Sequence, residues 1–201
     1  MRTYRAVNLN VLWFLIALNV VIFIITLAKP KEVIDFLGLN TAQLQAYPWT
    51  IITSMFVHDP GIWTHILFNM LCLYFLGSFL IRAAGEKSFL AVFFLGGLAG
   101  NLFVILYAYL IGFTIVGYGA SGGVLALGGA LAVMVPRVPV IVFPIPVPVS
   151  LWVAILIFFF ILIILPMLFG GVISWQAHLG GLLLGLIAGL ILKRRRRIYY
   201  F

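Results

Sequence analysis

SFLAVFFLGGLAGNLFVILYAYLIGFTIVGYGASGGVLALGGALAVMVP, residues 88–136, is a run of 49 residues without a charge, bounded by Lys87 and Arg137. A helix needs about 20 apolar residues to cross a bilayer, so this stretch holds two spans. The next uncharged stretch, 138–192, is 55 residues long and holds two more. Apolar runs from Val11 to Ala28 and from Trp63 to Ile81 add one each. The spans expected are therefore about 11–28, 63–81, 89–111, 120–135, 149–169 and 172–192. The fold class is an all-α membrane protein, a bundle of six transmembrane helices in a single domain over residues 1–201.

Composition supports this. Hydrophobic residues make up 65% of the chain and charged ones 8%, against roughly 25% charged in a soluble domain. The net charge of +8 does not point to nucleic acid, because the basic residues flank apolar spans instead of alternating with polar contact residues. The run Lys193–Arg197 directly follows the last apolar segment, where it stops transfer and faces anionic cytoplasmic lipid. With both termini in the cytoplasm, ten of the twelve basic residues lie inside and only Lys29 and Lys31 outside, as the positive-inside rule prefers. The expected location is the cell membrane, multi-pass. Arg2 and Arg5 before an apolar run resemble the start of a signal peptide, but the run is too long and no small-residue cleavage site follows it. An uncleaved first helix is expected. Cys72 is the only cysteine and lies inside an apolar run, which excludes disulfides and cysteine metal clusters.

Two connections stand out. The segment 29–62 mixes Trp49, Met55 and Phe56 with scattered charges, and is expected to lie partly in the membrane interface. Between the fourth and fifth spans, Pro136, Pro139, Pro144, Pro146 and Pro148 forbid a regular helix and predict a stiff, extended cytoplasmic loop.

Polar groups inside a membrane are costly and call for a partner or a function. Those in or beside these spans are His65, Asn69, Asn101, Ser121 and His178. His65 opens the second span, Ser121 the fourth, and His178 lies near the start of the sixth. All three helices run inward from outside, so the three groups share one depth. Ser121 sits in Gly119-Ala120-Ser121-Gly122-Gly123, where glycines let backbones approach and leave the hydroxyl uncrowded. Packing alone accounts for many such small-residue strings. At the first turn of a helix, however, the unpaired backbone N–H groups and the positive dipole end are ready oxyanion donors. One face of the sixth span carries His178, Gly181, Gly185 and Gly189, and the expected mating face on the fourth is Ser121, Leu125, Gly128 and Ala132. That packing would bring hydroxyl and imidazole together. His65 and Asn69, four residues apart, share a helix face and suit two donors aimed at one developing negative charge. His58 in the outer loop is expected to be interfacial, and Asn101 a packing contact.

Other mechanisms fail by counting. The four acids are Glu32, Asp35, Asp59 and Glu86, none inside a span, so paired intramembrane aspartates are absent. There is no H-E-x-x-H, and three separated histidines make a poor metal site, so no metal is expected. With no acid near the serine, the arrangement expected is a Ser-His dyad.

At these residues the sequence resembles the rhomboid family of intramembrane serine proteases, over nearly the whole chain. Thr53-Ser54-Met55-Phe56-Val57-His58 followed by Trp63-Thr64-His65-Ile66-Leu67-Phe68-Asn69-Met70 is similar to the family's H-x-x-x-N signature. Gly119-Ala120-Ser121-Gly122 is similar to its G-x-S-G, and Ala177-His178-Leu179-Gly180-Gly181 to its A-H-x-G-G. The proline-rich loop is similar to that of many prokaryotic members. The resemblance implies a rhomboid-like six-helix bundle with Ser121 as nucleophile and His178 as general base. It further implies an oxyanion hole of His65, Asn69 and the Ser121 backbone N–H, and no cofactor. The implied partners are transmembrane protein substrates and the lipid bilayer. Two departures stand out. Many members carry an aromatic residue four after the serine, where this chain has Leu125, and many have a glutamate soon after the glycine ending the second span, where Gly77 is followed by Ser78-Phe79-Leu80-Ile81-Arg82.

The leading expectation is an endopeptidase that admits a substrate helix sideways and cleaves it near the outer face. The fifth span with Phe158, Phe159, Phe160, Phe169 and Trp175 is the candidate gate, core packing being the default for any single one. A catalytically silent relative that binds or escorts membrane proteins would need neither Ser121 nor His178. A channel or transporter would want polarity through the full bilayer, and here polarity stops in the outer half.

Overall fold

The computed structural model describes residues 7–142, 146–168 and 174–195, with backbone alone at 163, 165–168 and 195. The first element among the described residues is helix α1 (Asn10–Ala28). Pro30, with its φ preset and no N–H to waste, starts a short helix α2 (Pro30–Leu37). Strand β1 (Leu39–Asn40), the one-turn helix α3 (Thr50–Thr53) and a 3-10 turn (Ser54–Phe56) lead to α4 (Trp63–Ala84). Gly85, at φ 85°, makes the turn into α5 (Glu86–Ile111), and Gly112, at φ 70°, ends it. Strand β2 (Val116–Gly117), α6 (Ser121–Met134), the hairpin β3 (Pro139–Val140) and β4 (Val149–Ser150), α7 (Leu151–Leu168) and α8 (Trp175–Arg195) complete the order.

Four of these helices, α1, α4, α5 and α8, are long and apolar enough to cross a membrane, and α6 and α7 are shorter apolar helices among the described residues. The 14 residues of α6 rise only about 21 Å, short of the roughly 30 Å of bilayer hydrocarbon. Helix α6 alone is thus shorter than the apolar layer is thick. Its first residue is Ser121.

Helix α6 forms the centre: every residue from Gly122 to Leu131 is buried. Small residues bring it into backbone contact with its neighbours, the packing that substitutes for a hydrophobic driving force in lipid. A Cβ placed on Gly181 or Gly185 of α8 would overlap the carbonyl of Gly122 or Ala126, and one on Gly189 would come within 2.6 Å of the Ala130 carbonyl. A Cβ on Gly123 of α6 would lie 2.7 Å from the Phe93 carbonyl of α5, and α5 meets α8 in the same way, a Cβ on Gly100 lying 2.6 Å from the Ala177 carbonyl. In the first turns of helix α7, Leu151, Ala154 and Ile155 are buried.

The expected pairing of α6 with α8 is present, but on a different face. Gly181, Gly185 and Gly189 meet Gly122, Ala126 and Ala130, not the stripe Ser121, Leu125, Gly128 and Ala132. Gly128 turns instead toward α7, where a Cβ would lie 2.8 Å from Ile155 Cδ1. Because α6 is buried all round, its sequence carries no polar side to mark which stripe faces which neighbour. In the proline-rich loop, Pro139 pairs with Ser150 and Val140 with Val149, so its ends form an antiparallel hairpin. Phe169 lies outside the described residues.

Candidate active site

Ser121 Oγ lies 2.8 Å from His178 Nε2. The serine is the first residue of α6 and the histidine stands in the first turn of α8, so the glycine-mediated docking of these two helices sets the distance. His178 is buried, and its Nδ1 has no hydrogen-bond partner among the described residues. Among the described residues no carboxylate backs the imidazole. The first N–H of α6 to bond a carbonyl one turn earlier is that of Val124, to Ala120 at 3.0 Å, so those of Ser121, Gly122 and Gly123 precede the helical ladder. Leu125, one turn further on, is fully buried within the core cluster.

His65 occupies the third position of α4. Its Nε2 faces Gly119: a Cβ there would lie 2.8 Å from His65 Nε2 and 3.8 Å from Ser121 Oγ. Gly119 has φ 133°, a conformation that side-chain-bearing residues rarely adopt, so a glycine both permits the turn and keeps the space between His65 and Ser121 open. Asn69, one turn below His65, is buried, and its Nδ2 donates to the His65 carbonyl at 2.8 Å, leaving one amide hydrogen uncommitted by that bond.

The segment before α4 is fastened to the site at several points. Asn101 of α5 donates to the Ile51 carbonyl at 2.7 Å and to Ser54 Oγ at 2.9 Å, and the Ser54 carbonyl accepts the Gly119 N–H at 2.9 Å. Asn101, expected as a packing contact, thus ties α5 through the 3-10 turn to the residue two before the serine. Strands β1 and β2 add a second link, pairing Leu39 with Gly117 and Asn40 with Val116.

His58 departs from its expected interfacial place. It is completely buried, its ring centroid 5.0 Å from that of His65, and neither ring nitrogen has a hydrogen-bond partner among the described residues. Burial first, then the neighbouring His65, lower its pKa to about 3; the Phe56 carbonyl opposes the shift without reaching hydrogen-bond geometry. The next residue, Asp59, joins the loop to the segment before Ser121, its Oδ2 accepting from the Tyr118 hydroxyl at 3.4 Å. Neither Asp59 nor Tyr118 was singled out by spacing or hydropathy.

The contact between a serine hydroxyl and an imidazole at the start of a short helix lies within a stretch that matches a known domain: the rhomboid domain aligns with residues 45–195. The chain belongs to the rhomboid family. As a rhomboid protein it is similar to Rhomboid protein 1, mitochondrial, of Saccharomyces cerevisiae, at 29% identity over 183 residues, which is 90% of this chain and 52% of that protein. The chain thus spans about half the length of that curated relative. Its apolar helices and its family make it a multi-pass membrane protein with the all-α rhomboid bundle.

Proposed function

We propose that this rhomboid protein is an intramembrane serine endopeptidase that cleaves transmembrane segments of other membrane proteins near the outer face of the cell membrane. In this reading residues 1–201 form one domain of six spans with both termini in the cytoplasm. The reading rests above all on the 2.8 Å contact between Ser121 Oγ and His178 Nε2 at the start of α6. Ser121 Oγ attacks the carbonyl carbon of the scissile bond while His178 Nε2 takes its proton. The oxyanion receives hydrogen bonds from the Ser121 N–H, the His65 imidazole and the Asn69 amide. His178 then hands the proton to the departing amine, and water, activated by the same imidazole, frees the acyl group from Ser121. The unpartnered Nδ1 of His178 supports a dyad.

Cleavage of a reconstituted transmembrane substrate tests this. Ser121→Ala and His178→Ala should each abolish turnover while leaving helicity and membrane insertion intact. The double variant should be no worse than either alone, because the two groups act as a unit. Full-rate cleavage by Ser121→Ala would end the reading of Ser121 as nucleophile, and no cleavage by the native protein would favour a silent, binding relative.

A further inference from the structure

Besides accepting the Ile62 N–H at its carbonyl, at 3.3 Å, Asp59 makes three bonds that the chemistry above does not use. Its Oδ1 accepts the Gly61 N–H at 2.8 Å, its Oδ2 accepts the Tyr118 hydroxyl at 3.4 Å, and its own backbone N–H donates to His65 Nδ1 at 3.3 Å. The third bond decides a proton. A neutral imidazole carries one N–H and one bare nitrogen, and which is which follows from the bond the other makes. Since Nδ1 accepts from an amide, a proton there would meet the amide hydrogen head-on, and the single proton belongs on Nε2. That nitrogen is the one facing Gly119 and the space beside Ser121.

The carboxylate in turn holds the amide in place. Gly61 closes a tight turn over it, so the loop between the 3-10 turn and α4 cannot rotate the Asp59 N–H away without breaking that bond. Tyr118 approaches from the other loop, three residues before Ser121. Burial first, then the Asp59 carboxylate, push the Tyr118 hydroxyl above its ordinary range, so it remains a donor.

We propose that Asp59 is the positioning residue of the oxyanion hole: its backbone N–H holds His65 as the Nε2–H tautomer, aimed beside Ser121, while its side chain locks that N–H through Gly61 and Tyr118. The proposal rests on His65 being an oxyanion donor, as in the reading above. Asp59 touches no reacting atom and acts through His65.

The test is 15N NMR of histidine-labelled protein in detergent, the three imidazoles being assigned by single His→Gln variants, alongside cleavage kinetics. In the native protein His65 should show a bare Nδ1 and a protonated Nε2. Asp59→Ala should shift His65 toward a tautomer mixture and lower kcat by about tenfold with KM unchanged, a fraction of the roughly 100-fold that deleting an oxyanion donor costs. Asp59→Asn, which keeps an acceptor for Gly61, should restore most of both. A protonated Nδ1 on His65 in the native protein would overturn the proposal, even if Asp59→Ala fails to fold. So would an Asp59→Ala variant with unchanged His65 signals and kcat. A native protein with the expected tautomer but no cleavage would sink the protease reading instead, which separates the two failures.

Discussion

Gly181 of α8 lies so close to Gly122 of α6 that a single methyl group at 181 would overlap the Gly122 carbonyl. The contact is next to Ser121 on one helix and one turn from His178 on the other, so the spacing of nucleophile and base depends on two missing side chains. Gly181→Val should therefore separate the helices. Overpacking of this kind costs about 1–3 kcal/mol, and misplacement by about 1 Å can cost about 100-fold in rate. Thermal unfolding in detergent should show a modest loss of stability, whereas cleavage should be nearly extinguished. Parallel, small losses in both would mean that α6 and α8 are not what aligns the pair.

Asn69 offers one amide hydrogen to the His65 carbonyl and has one other to give. If that second hydrogen serves the oxyanion, Asn69→Ala should lower turnover by about 100-fold, while Ser121 still reacts with a serine-directed reagent because the backbone N–H and His65 remain. Loss of reagent labelling together with turnover would assign Asn69 a structural task instead.

Much of this was legible in the sequence, for a reason particular to membranes. Lipid makes each embedded polar group costly, so Ser121, His178, His65 and Asn69 stood out against apolar spans before any geometry was known. The glycine spacing on α8 likewise announced a helix partner. What remained hidden was carried by contacts without periodicity. Helix α6 is apolar and small-sided on every stripe, so the choice between Ser121–Leu125–Gly128 and Gly122–Ala126–Ala130 had no local signal. His58 and Asp59 sit in a charged, proline-containing loop that reads as surface, yet His58 is wholly buried and Asp59 bonds through its backbone. Asn101 reaches partners 47 and 50 residues earlier, a distance no local pattern encodes.

The burial of His58 makes stability depend on pH. In the folded protein its pKa is lowered to about 3, while the unfolded chain titrates near 6.5. Between these values the unfolded state holds a proton that the folded state refuses, so stability rises with pH and is lost as pH falls from about 6.5 toward about 3. His58→Gln removes this titration. The difference in unfolding temperature between native protein and His58→Gln, measured in detergent from pH 7.5 to 4.5, should move in favour of the variant as the solution is acidified. A pH-independent difference would mean that His58 charges freely in the folded state.

The dyad itself is most directly tested by a serine-directed phosphonate applied to the purified protein, which requires no knowledge of a natural substrate. Mass spectrometry of the digested adduct should place the phosphonyl group on Ser121, with labelling abolished by Ser121→Ala and strongly slowed by His178→Ala. Label on another serine, or equal labelling of native protein and the His178→Ala variant, would contradict a nucleophile at Ser121 activated by His178.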